Sequence, residues 1–466
     1  MATFAFETIG AAEAAAFKAT DQLLFQGVSA RSVAVLFGLD GTVTLASGGR
    51  AVAFGPGVLD ASTAGNLTFP DGSTLKAGSS GGDAMGGEGR DDGLYGGAGN
   101  DTLNGGEGAN LLQGNQGADQ LVAGAGDDIF YGGQDGDLIR TGDGRNFAQG
   151  NLGGDTIEGG TGSDTVLGGQ GADVLSGDLG DDFLNGNLGD DCITGGDGND
   201  RIFGEAGDDY ILVGYESNGL PPGNDTVSGG DGNDRIIGSI SDDSAVSVLM
   251  GDDGDDAISA NRGTLTIDGG AGNDAISLAS PLRALVTCGD GDDVFQAFHG
   301  ANTIDGGAGN DRIMGGDDAE TINGGAGLDT LSGGRGPDRL EGGAGADLFV
   351  VTRFDTLVSY PVTNVPELSG ADRIVDWSAE DKFFFEFKNA VLAASQYVEI
   401  TAASADDAYA QARQLMAGGE VLYVAAQAGA DVILFAWTYK AVTVGTDQAI
   451  ILQGRSLADI SFANIT

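Results

Sequence analysis

The stretch Gly159-Gly-Thr-Gly-Ser-Asp-Thr-Val-Leu167 is followed directly by Gly168-Gly-Gln-Gly-Ala-Asp-Val-Leu-Ser176. Both are copies of one nine-residue pattern, Gly-Gly-x-Gly-x-Asp-x-apolar-x, and further copies begin at Gly195, Gly229, Gly269, Gly306, Gly324, Gly333 and Gly342. Closely spaced glycines permit positive φ angles, so positions one to six predict a turn. Positions seven to nine predict a short strand whose middle residue points inward.

In a less strict form the pattern recurs 25 times between residues 96 and 350, with interruptions at 213–219, 238–250 and 278–287. Position eight is a bulky apolar residue in 24 of these copies, with Ala148 as the exception, and position six is Asp in 20. A disordered glycine-rich linker would keep neither column. The sequence therefore predicts a regular repeat fold with an apolar core.

The position-six carboxylates and the glycine carbonyls make a cation site the natural interpretation of the turns. Calcium prefers flexible sites rich in oxygen ligands, whereas zinc requires His and Cys at defined spacing, and this chain has one His and two Cys. The predicted carboxylate ligands are Asp101, Asp119, Asp128, Asp137, Asp155, Asp164, Asp173, Asp182, Asp191, Asp200, Asp209, Asp225, Asp234, Asp256, Asp274, Asp293, Asp311, Asp329, Asp338 and Asp347. The predicted glycine ligands are Gly160, Gly162, Gly169, Gly171, Gly196, Gly198, Gly307, Gly309, Gly325, Gly327, Gly334, Gly336, Gly343 and Gly345.

The charge balance makes calcium a requirement for folding. The 466 residues include 21 basic and 70 acidic side chains, a net charge of −49 that opposes a compact state. Glycine also loses more conformational freedom on folding than any other residue. We therefore expect repeats that are unfolded without calcium and fold at the ~0.1–1 mM typical of extracellular sites. Nucleic acid is not an expected partner of so acidic a chain.

The nonapeptide is the known signature of RTX calcium-binding repeats, and the chain resembles RTX (hemolysin-type) proteins of Gram-negative bacteria. This resemblance implies an all-β fold, a right-handed parallel β-roll in which two nonapeptides form one coil. Turns two repeats apart would then stack at roughly 4.8 Å, with calcium between them. It also implies export by the type I secretion machinery through an uncleaved C-terminal signal, and hence a secreted, extracellular or cell-surface location. The residues that match the family are Gly342–Phe349, which close the roll, and then Asp372–Trp377, Gly429–Phe435 and Leu457–Ile465.

Composition divides the chain into three predicted domains. Residues 1–80 are expected to form a small N-terminal β domain, residues 81–350 the roll, and residues 351–466 a mostly β cap with one helix. The N-terminal strands are predicted at Val33–Phe37, Val43–Leu45 and Ala51–Phe54. In the cap, a helix is predicted from Ser404 to Met416, ending before Gly418, with strands at Lys382–Phe387, Val421–Ala426 and Val432–Trp437.

A targeting signal is expected at the C-terminal end of the chain and not at the N-terminal end. The N-terminus lacks the basic and apolar regions of a Sec signal peptide, and the secretion signal is expected in roughly the last 60 residues. No window reaches eighteen apolar residues, so no transmembrane segment is expected.

Residues suited to catalysis are scarce. The sequence has no His-Glu-x-x-His motif, and its one Gly-x-Ser-x-Gly string, Gly78–Gly82, lacks the context of a nucleophile elbow. The only histidine, His299, falls in a repeat turn and is expected at the surface. Cys192 and Cys288 lie about five coils apart, ~24 Å, too far for a disulfide, so both are predicted to be free thiols.

Three functions remain open at this point. The first is a non-enzymatic, secreted calcium-binding protein with a structural role at the cell surface, in a surface layer or biofilm matrix. Its partners would be calcium, the secretion machinery, and either a second copy or a cell-surface molecule. The second is an adhesin or toxin-like binding module, and the third is a hydrolase with an unrecognised catalytic domain.

The repeats separate into two edges if every interruption preserves coil parity. The edge that begins with the turn at Gly96 then has Asp at position six in all fourteen of its turns, which predicts up to 13 inter-turn calcium sites. Every departure from Asp falls on the other edge: Asn110, Asn146, Leu265, Asn302 and Glu320. We expect fewer ions there, mainly around Asp164, Asp182 and Asp200, with the irregular loops as the partner-contact surface. Asp173→Ala should therefore raise the calcium concentration needed for folding, whereas Asn302→Ala should barely matter.

Overall fold

The computed structural model describes residues 2–38, 41–214, 223–238, 245–351, 372–378, 380–385, 397–416, 423–437, 447–453, 455–460 and 464. The chain divides into two compact units, Met1–Arg235 and Ile236–Thr466, which are described separately. Parallel β-solenoid coils make up most of the described chain, and this confirms the predicted all-β class and parallel β-roll. The three-domain division at residues 80 and 350 stays a prediction.

The first unit begins with a small subdomain that contains two three-stranded sheets. One sheet is parallel, with strands Thr3–Ala5, Gln22–Leu24 and Leu67–Thr68. The other is antiparallel, with strands Ala34–Phe37, Val43–Ser47 and Arg50–Phe54, which confirms the predicted meander. Two short helices, Ala11–Ala15 and Gly57–Thr63, and a 3₁₀ turn, Ala30–Ser32, were not predicted.

This subdomain packs on the start of the coils. Tyr95, in an early coil strand, is buried, and its hydroxyl donates a hydrogen bond of 2.6 Å to the carbonyl of Val33. Ala30 N donates to Ser73 Oγ at 2.8 Å in the same region. The apolar core of the subdomain is continuous with Leu75 and Ala77 of the first coil. The open end of the roll is therefore covered by the N-terminal residues.

Two parallel sheets, here called the first and second sheets, run along the coils of this unit. The first contains Leu75–Ala77, Gly93–Ala98, Leu111–Gln116, Ile129–Gln134, Phe147–Leu152, Thr165–Gln170, Phe183–Leu188, Arg201–Ala206 and Thr226–Asp231. The second contains Ala84–Gly86, Thr102–Asn104, Gln120–Val122, Leu138–Arg140, Thr156–Glu158, Val174–Leu179, Cys192–Asp197 and Tyr210–Leu212. The division between the two units falls within strand Arg235–Ile237, after Arg235.

The second unit continues the same two-sheet pattern. Its first sheet contains Val246–Asp253, Thr264–Ala271, Arg283–Asp290, Thr303–Ala308, Thr321–Ala326, Arg339–Ala344 and Asp372–Ile374. Its second sheet contains Ala257–Ala260, Ala275–Leu278, Val294–Ala297, Arg312–Met314, Thr330–Ser332, Leu348–Val351 and Lys382–Phe385. The last strand of each set lies beyond residue 350, so a further coil forms after the final repeat.

The position-eight column forms the core of the coils, as predicted. All 25 of these side chains have relative exposures of 4% or less, including Ala148. In the first sheet Leu112 pairs with Phe130, eighteen residues further along the chain, and Phe130 pairs with Ala148. Two nonapeptides therefore make one coil, and like positions stack.

Two of the three interruptions preserve coil parity. Asp209 N donates to Asp234 Oδ1 at 2.8 Å across the first interruption, and Asp274 N donates to Asp293 Oδ1 at 2.8 Å across the third. In each case the partner belongs to the same edge. The interruption at 238–250 includes residues outside those described, so its parity stays a prediction.

The C-terminal part of the second unit combines one helix with a small sheet. Helix Ala405–Met416 confirms the predicted helix, and Asp407 N donates to Ser404 Oγ at 3.2 Å at its start. The predicted stop at Gly418 lies outside the described residues. The sheet strands are Tyr397–Ala402, Tyr423–Ala428, Asp431–Trp437 and Asp447–Leu452, followed by a 3₁₀ turn, Leu457–Asp459.

These C-terminal elements are joined to the last coil. Strand Asp372–Ile374 pairs in parallel with residues of Arg339–Ala344 and also with Asp447–Leu452. The Trp377 ring is fully buried and stacks on Phe383 with ring centroids 4.3 Å apart. The predicted strands at 382–387 and 421–426 are found at Lys382–Phe385 and Tyr423–Ala428, while residues 386, 387, 421 and 422 lie outside the described residues.

Both cysteines are free thiols, as predicted, with Cys192 partly exposed and Cys288 buried. Within the described part of the chain, no helix has the length and apolar character needed to cross a membrane.

Candidate metal centre

The position-six aspartates of the first edge, whose turns follow strands of the first sheet, form a hydrogen-bonded ladder. In the first unit, Asp101 N donates to Asp119 Oδ1 at 2.7 Å and Asp119 N donates to Asp137 Oδ1 at 2.8 Å. The same bond recurs one coil at a time through Asp155, Asp173, Asp191, Asp209 and Asp234. Each carboxylate therefore has one oxygen fixed on the backbone of the preceding coil.

The second unit contains the same ladder. Asp256 N donates to Asp274 Oδ1 at 2.8 Å, and the series continues through Asp293, Asp311, Asp329 and Asp347. Its final step is from Asp347 N to Asp381 Oδ1 at 3.0 Å. The sequence analysis did not assign Asp381, because the 34-residue separation hides the nine-residue period.

The second oxygen of these carboxylates is the feature that points to a cation. Oδ2 is buried, and no hydrogen-bond donor reaches it among the described residues, in Asp101, Asp119, Asp137, Asp155, Asp173, Asp191, Asp209, Asp274, Asp293, Asp311 and Asp329. A buried carboxylate oxygen without a partner is costly, and repeating it coil after coil multiplies that cost. The ladder therefore fits a bound cation at each of these oxygens.

Position-one glycines leave space beside these oxygens. A Cβ placed on Gly96 would collide with Asp101 Oδ2 and with the carbonyl oxygen of Gly114 in the next coil. Gly114 has the same relationship to Asp119 Oδ2 and to the carbonyl of Gly132. A carboxylate oxygen and a carbonyl oxygen thus converge on one space that glycine keeps open. Oxygen ligands of these two kinds are the ones calcium prefers.

The glycines predicted as ligands occupy positions two and four of their turns. All of them have positive φ angles, for example 92° at Gly160 and 120° at Gly162. A Cβ on Gly162 would collide with the carbonyl oxygen of Gly144 in the preceding coil. Glycine is therefore required there for both conformation and close approach. Their role as ligands stays a prediction, and the position-one carbonyls are further candidate ligands that were not predicted from the sequence.

The Asn turns of the second edge show which groups face the second side-chain atom. Asn110 Nδ2 donates to the carbonyl oxygens of Gly106 and Gly108, at 3.4 Å and 3.0 Å. These carbonyls belong to positions two and four of the same turn. In an Asp turn the atom equivalent to Asn Nδ2 is the carboxylate oxygen Oδ2. This oxygen would face the carbonyl oxygens of positions two and four, all of them acceptors, unless a cation lay between them.

The second edge mixes complete and altered turns. Asp128, Asp164, Asp182 and Asp200 each have a buried Oδ2 that no described donor reaches. Asn146 Nδ2 donates to Thr141 Oγ1 at 3.2 Å, and Asn302 Nδ2 donates to the carbonyl of His299 at 3.2 Å. Glu320 N donates to Asp338 Oδ1 at 2.9 Å, and Asp200 N donates to Asp225 Oδ1 at 2.9 Å. Turns with Asn satisfy their own polar groups, as a turn without an ion must.

Burial raises the pKa of the ladder carboxylates. Desolvation is the main cause, and neighbouring carboxylates add to it, so the pKa of Asp137 rises to about 8 and that of Asp173 to about 7. On the second edge the pKa of Asp182 rises to about 8 for the same reasons. A divalent cation would oppose both causes, because it stabilises the charged form.

At the first ladder carboxylate of the first unit and the last of the second unit, protein donors reach the second oxygen. Asp83 Oδ2 accepts hydrogen bonds from Ser79 N and Ser79 Oγ, at 2.6 Å and 2.9 Å. Asp381 Oδ2 accepts from Ser378 N at 2.6 Å. Among the described residues, the ladder carboxylates with a buried, unpartnered oxygen all lie between these two.

The other candidate chemistry is explained by the coils. The Gly78–Gly82 string forms the turn between strands Leu75–Ala77 and Ala84–Gly86, so a strand follows it where a nucleophile elbow needs a helix. His299 is half-exposed, with Nδ1 3.7 Å from Asp317 Oδ2. Among the described residues, no three His, Cys, Asp or Glu side chains gather as a metal cluster. An ion on the ladder would therefore take part of its ligand set from the backbone.

The fold and its ladder define a class of protein, the calcium-binding parallel β-roll. The family model for the RTX calcium-binding nonapeptide repeat matches residues 78–112, 104–139, 113–148, 140–175, 149–184, 176–211, 222–245, 248–278, 289–313 and 314–349. These segments cover more than half of the chain, which therefore belongs to the RTX calcium-binding repeat family. Repeats of this family bind calcium.

Two solved structures illustrate the likeness. The AlgE6R3 subunit of the Azotobacter vinelandii mannuronan C5-epimerase is 26% identical, with a TM-score of 0.20, and the match covers 38% of this chain and 78% of that chain. The extracellular lipase LipA of Serratia marcescens is 20% identical, with a TM-score of 0.16, and the match covers 56% of this chain and 40% of that chain. No curated protein sequence matches the chain significantly.

Proposed function

We propose that this protein is secreted, folds on calcium outside the cell, and serves a non-enzymatic, structural role at the cell surface, in a surface layer or biofilm matrix. The observation that supports it most is the row of buried, unsatisfied Oδ2 atoms on the first edge. Cytosolic calcium is too scarce for weak extracellular-type sites, so the coils would order only after export.

Calcium on the first edge would be held by the position-six carboxylates, with help from glycine carbonyls. The ion supplies charge neutralisation and links adjacent coils. The protein supplies spacing: position-one glycines keep the site open, and the backbone N–H of the preceding coil orients each carboxylate. Up to 13 such sites, as predicted from the sequence, would distribute the ions along the coils.

A structural role agrees with how the described residues are used. The core column, the ladder and the two chain-end subdomains account for most of the buried side chains, and among the described residues no three His, Cys, Asp or Glu side chains gather in a cluster. We therefore propose that the protein is not an enzyme.

An adhesin or other binding module is the second candidate. It is favoured by the exposed apolar side chains of Leu282 and Phe298 on the second edge, with exposures of 67% and 52%. Light scattering of the calcium-loaded protein separates the two: a structural protein should grow into assemblies as calcium is added, whereas a monomeric binding module should not.

Export is tested by deleting residues 407–466, which hold the proposed secretion signal. The truncated protein should stay inside the cell that secretes the full chain. A matched internal deletion in the coils, residues 150–167, removes one coil and should still be exported. Unchanged secretion of the C-terminal truncation would refute the type I proposal.

A further inference from the structure

A groove of about 940 Å³ in the first unit lies between the antiparallel sheet of the N-terminal subdomain and the outer face of the first sheet. Its wall is apolar and includes Leu36, Phe37 and Leu59. Leu36 is 60% exposed and Phe37 36%. None of the described side chains that line it is a predicted calcium ligand.

The described lining of the groove carries no charged side chain, in a strongly acidic protein. No Asp, Glu, Lys, Arg or His is present among the described residues that line it, although the chain carries 70 acidic side chains. A cationic ligand would find no counter-charge among these residues, and an anionic ligand would be repelled by the net charge of −49. The groove therefore suits an uncharged ligand.

The floor is rich in side-chain amides. Gln113, Asn115, Gln134 and Asn151 line it together with the half-buried ring of Tyr131. Gln113 Nε2 donates to Asn115 Oδ1 at 2.7 Å, and Asn151 Nδ2 donates to the carbonyl of Gln149 at 3.3 Å. Each amide keeps a further N–H or oxygen lone pair, which suits ligand hydroxyl groups that are donor and acceptor at once. The tyrosine ring and the apolar wall suit the C–H faces of a sugar ring.

Three asparagines on this face have positive φ angles, at a position that glycine can also occupy. Asn115, Asn151 and Asn187 have φ angles of 83°, 82° and 74°. At the equivalent position of the intervening coils the residue is glycine, Gly133 and Gly169, which adopts positive φ without strain. Asn adopts this conformation more readily than most residues, and Glu205 continues the row with a φ of 75°. In all three asparagines Nδ2 donates to the carbonyl oxygen two residues earlier, at 3.2 to 3.4 Å, which fixes the orientation of the amide on this face.

The amide row continues beyond the groove. A second hollow of about 360 Å³ further along the same face is lined by Gln149, Asn151, Gln170 and Asn187, and again by no charged side chain among the described residues. Neighbouring coils repeat at roughly 4.8 Å, so the face presents hydrogen-bonding groups at a regular interval. A ligand with its own regular repeat fits this better than a small molecule. A peptide would find no open sheet edge to pair with, because the floor is the face of a sheet.

We propose that this face binds a neutral glycan chain that lies along the coils, between the N-terminal wall and the amide row. The site goes beyond the calcium-dependent role above and needs only that the coils be folded.

Affinity electrophoresis of the full, calcium-loaded chain tests the proposal, in native gels that contain dextran, galactomannan, mixed-linkage β-glucan, polygalacturonate or gelatin. At least one of the three neutral polysaccharides should retard the protein, and the acidic polygalacturonate should not. The double variant Asn115→Gly/Asn151→Gly keeps the backbone conformation and should weaken retardation at least tenfold. Asp178→Gly, at an equivalent turn position on the second edge with a φ of 67°, is the matched control and should behave as the parent.

Circular dichroism verifies that each variant is folded before its migration is compared. No retardation by any neutral polysaccharide would overturn the proposal, and so would retardation that the double variant leaves unchanged. Retardation by gelatin alone would assign the face to an extended peptide, and retardation by polygalacturonate alone would assign it to an acidic polymer.

Discussion

The side-chain amide of Asn110 donates a hydrogen bond of 3.0 Å to the carbonyl oxygen of Gly108, two residues earlier in the same turn. Its other side-chain atom, Oδ1, accepts from Asp92 N at 3.0 Å, as the ladder aspartates do from their own neighbours. An Asn turn is thus an Asp turn in which an N–H group stands where a cation would otherwise be needed. The difference between the two edges follows from this exchange.

Exchanging Asn and Asp at position six should therefore change the number of bound ions. Asn110→Asp should add about one calcium ion at saturation, and Asp119→Asn should remove about one, because the amide closes the turn without an ion. Equilibrium dialysis against calcium measures the count. Asn100→Asp places the same new charge at an exposed position of a first-edge turn and should leave the count unchanged. An equal count in all three variants would contradict the ligand assignment.

Alanine at two position-six residues should have different consequences. Asp173→Ala removes a predicted ligand, so it should lower the ion count and raise the calcium concentration needed for folding. Asn302→Ala should leave the ion count unchanged. It should nevertheless lower the free energy of unfolding by about 1–3 kcal/mol, because Ala284 N would lose its acceptor. The loss would be seen as a lower urea midpoint. Asn302 Oδ1 accepts from this backbone N–H at 3.0 Å. The expectation from sequence, that Asn302→Ala barely changes the calcium needed for folding, stays a prediction.

Acidity should compete with calcium. Burial and neighbouring carboxylates raise the pKa of Asp137 and Asp182 to about 8 from a reference value of 3.8. Between pH 3.8 and about pH 8 the folded, calcium-free chain therefore binds more protons than the unfolded chain. The contribution of these carboxyls to the stability of the calcium-free fold is greatest below the reference pKa and is lost as the pH rises towards 8.

Calcium must displace these protons, so the calcium midpoint for folding should fall at least tenfold between pH 6 and pH 8. Circular dichroism titrations at the two pH values measure it. An exposed acidic residue such as Asp181, whose pKa is lowered by hydrogen bonds from Asn199, contributes nothing in this range. A calcium midpoint independent of pH would show that the ladder carboxylates are not the ligands.

The N-terminal subdomain should stabilise the coils it covers. Tyr95→Phe removes the donor to the buried Val33 carbonyl and should cost about 1 kcal/mol in unfolding free energy. Tyr210 is 40% exposed, and Tyr210→Phe serves as the control with no expected loss. Urea unfolding of the calcium-loaded protein compares them. Equal midpoints for the two variants would mean that the subdomain contributes nothing through this bond.

The coils could be predicted from the sequence because one period sets both the core and the turns. Leu112, Phe130 and Ala148 stack because each sits at position eight, and the first edge is uniform because Asp recurs at position six. Parity across the first and third interruptions was also predictable, since a loop can lengthen one turn without shifting the strands that follow.

The features of the fold that could not be predicted lie where the nine-residue period is broken. Ser79 replaces the position-two glycine of the turn that ends at Asp83, so the earliest coil resembled a catalytic motif. The coil that contains Asp372 and Asp381 is separated from the last repeat by an insertion. Helices Ala11–Ala15 and Gly57–Thr63 are too short to show a periodic pattern. The groove depends on contacts between distant segments, which no local pattern encodes.

The calcium dependence of folding tests the central claim most directly. Far-ultraviolet circular dichroism of the full chain at neutral pH should lack the β signal in excess EGTA and regain it in millimolar calcium. Magnesium at the same concentration should not restore it, because Mg²⁺ requires a smaller, near-octahedral site and keeps much of its water. A chain that retains its full β signal in EGTA, or that magnesium folds equally well, would contradict the account.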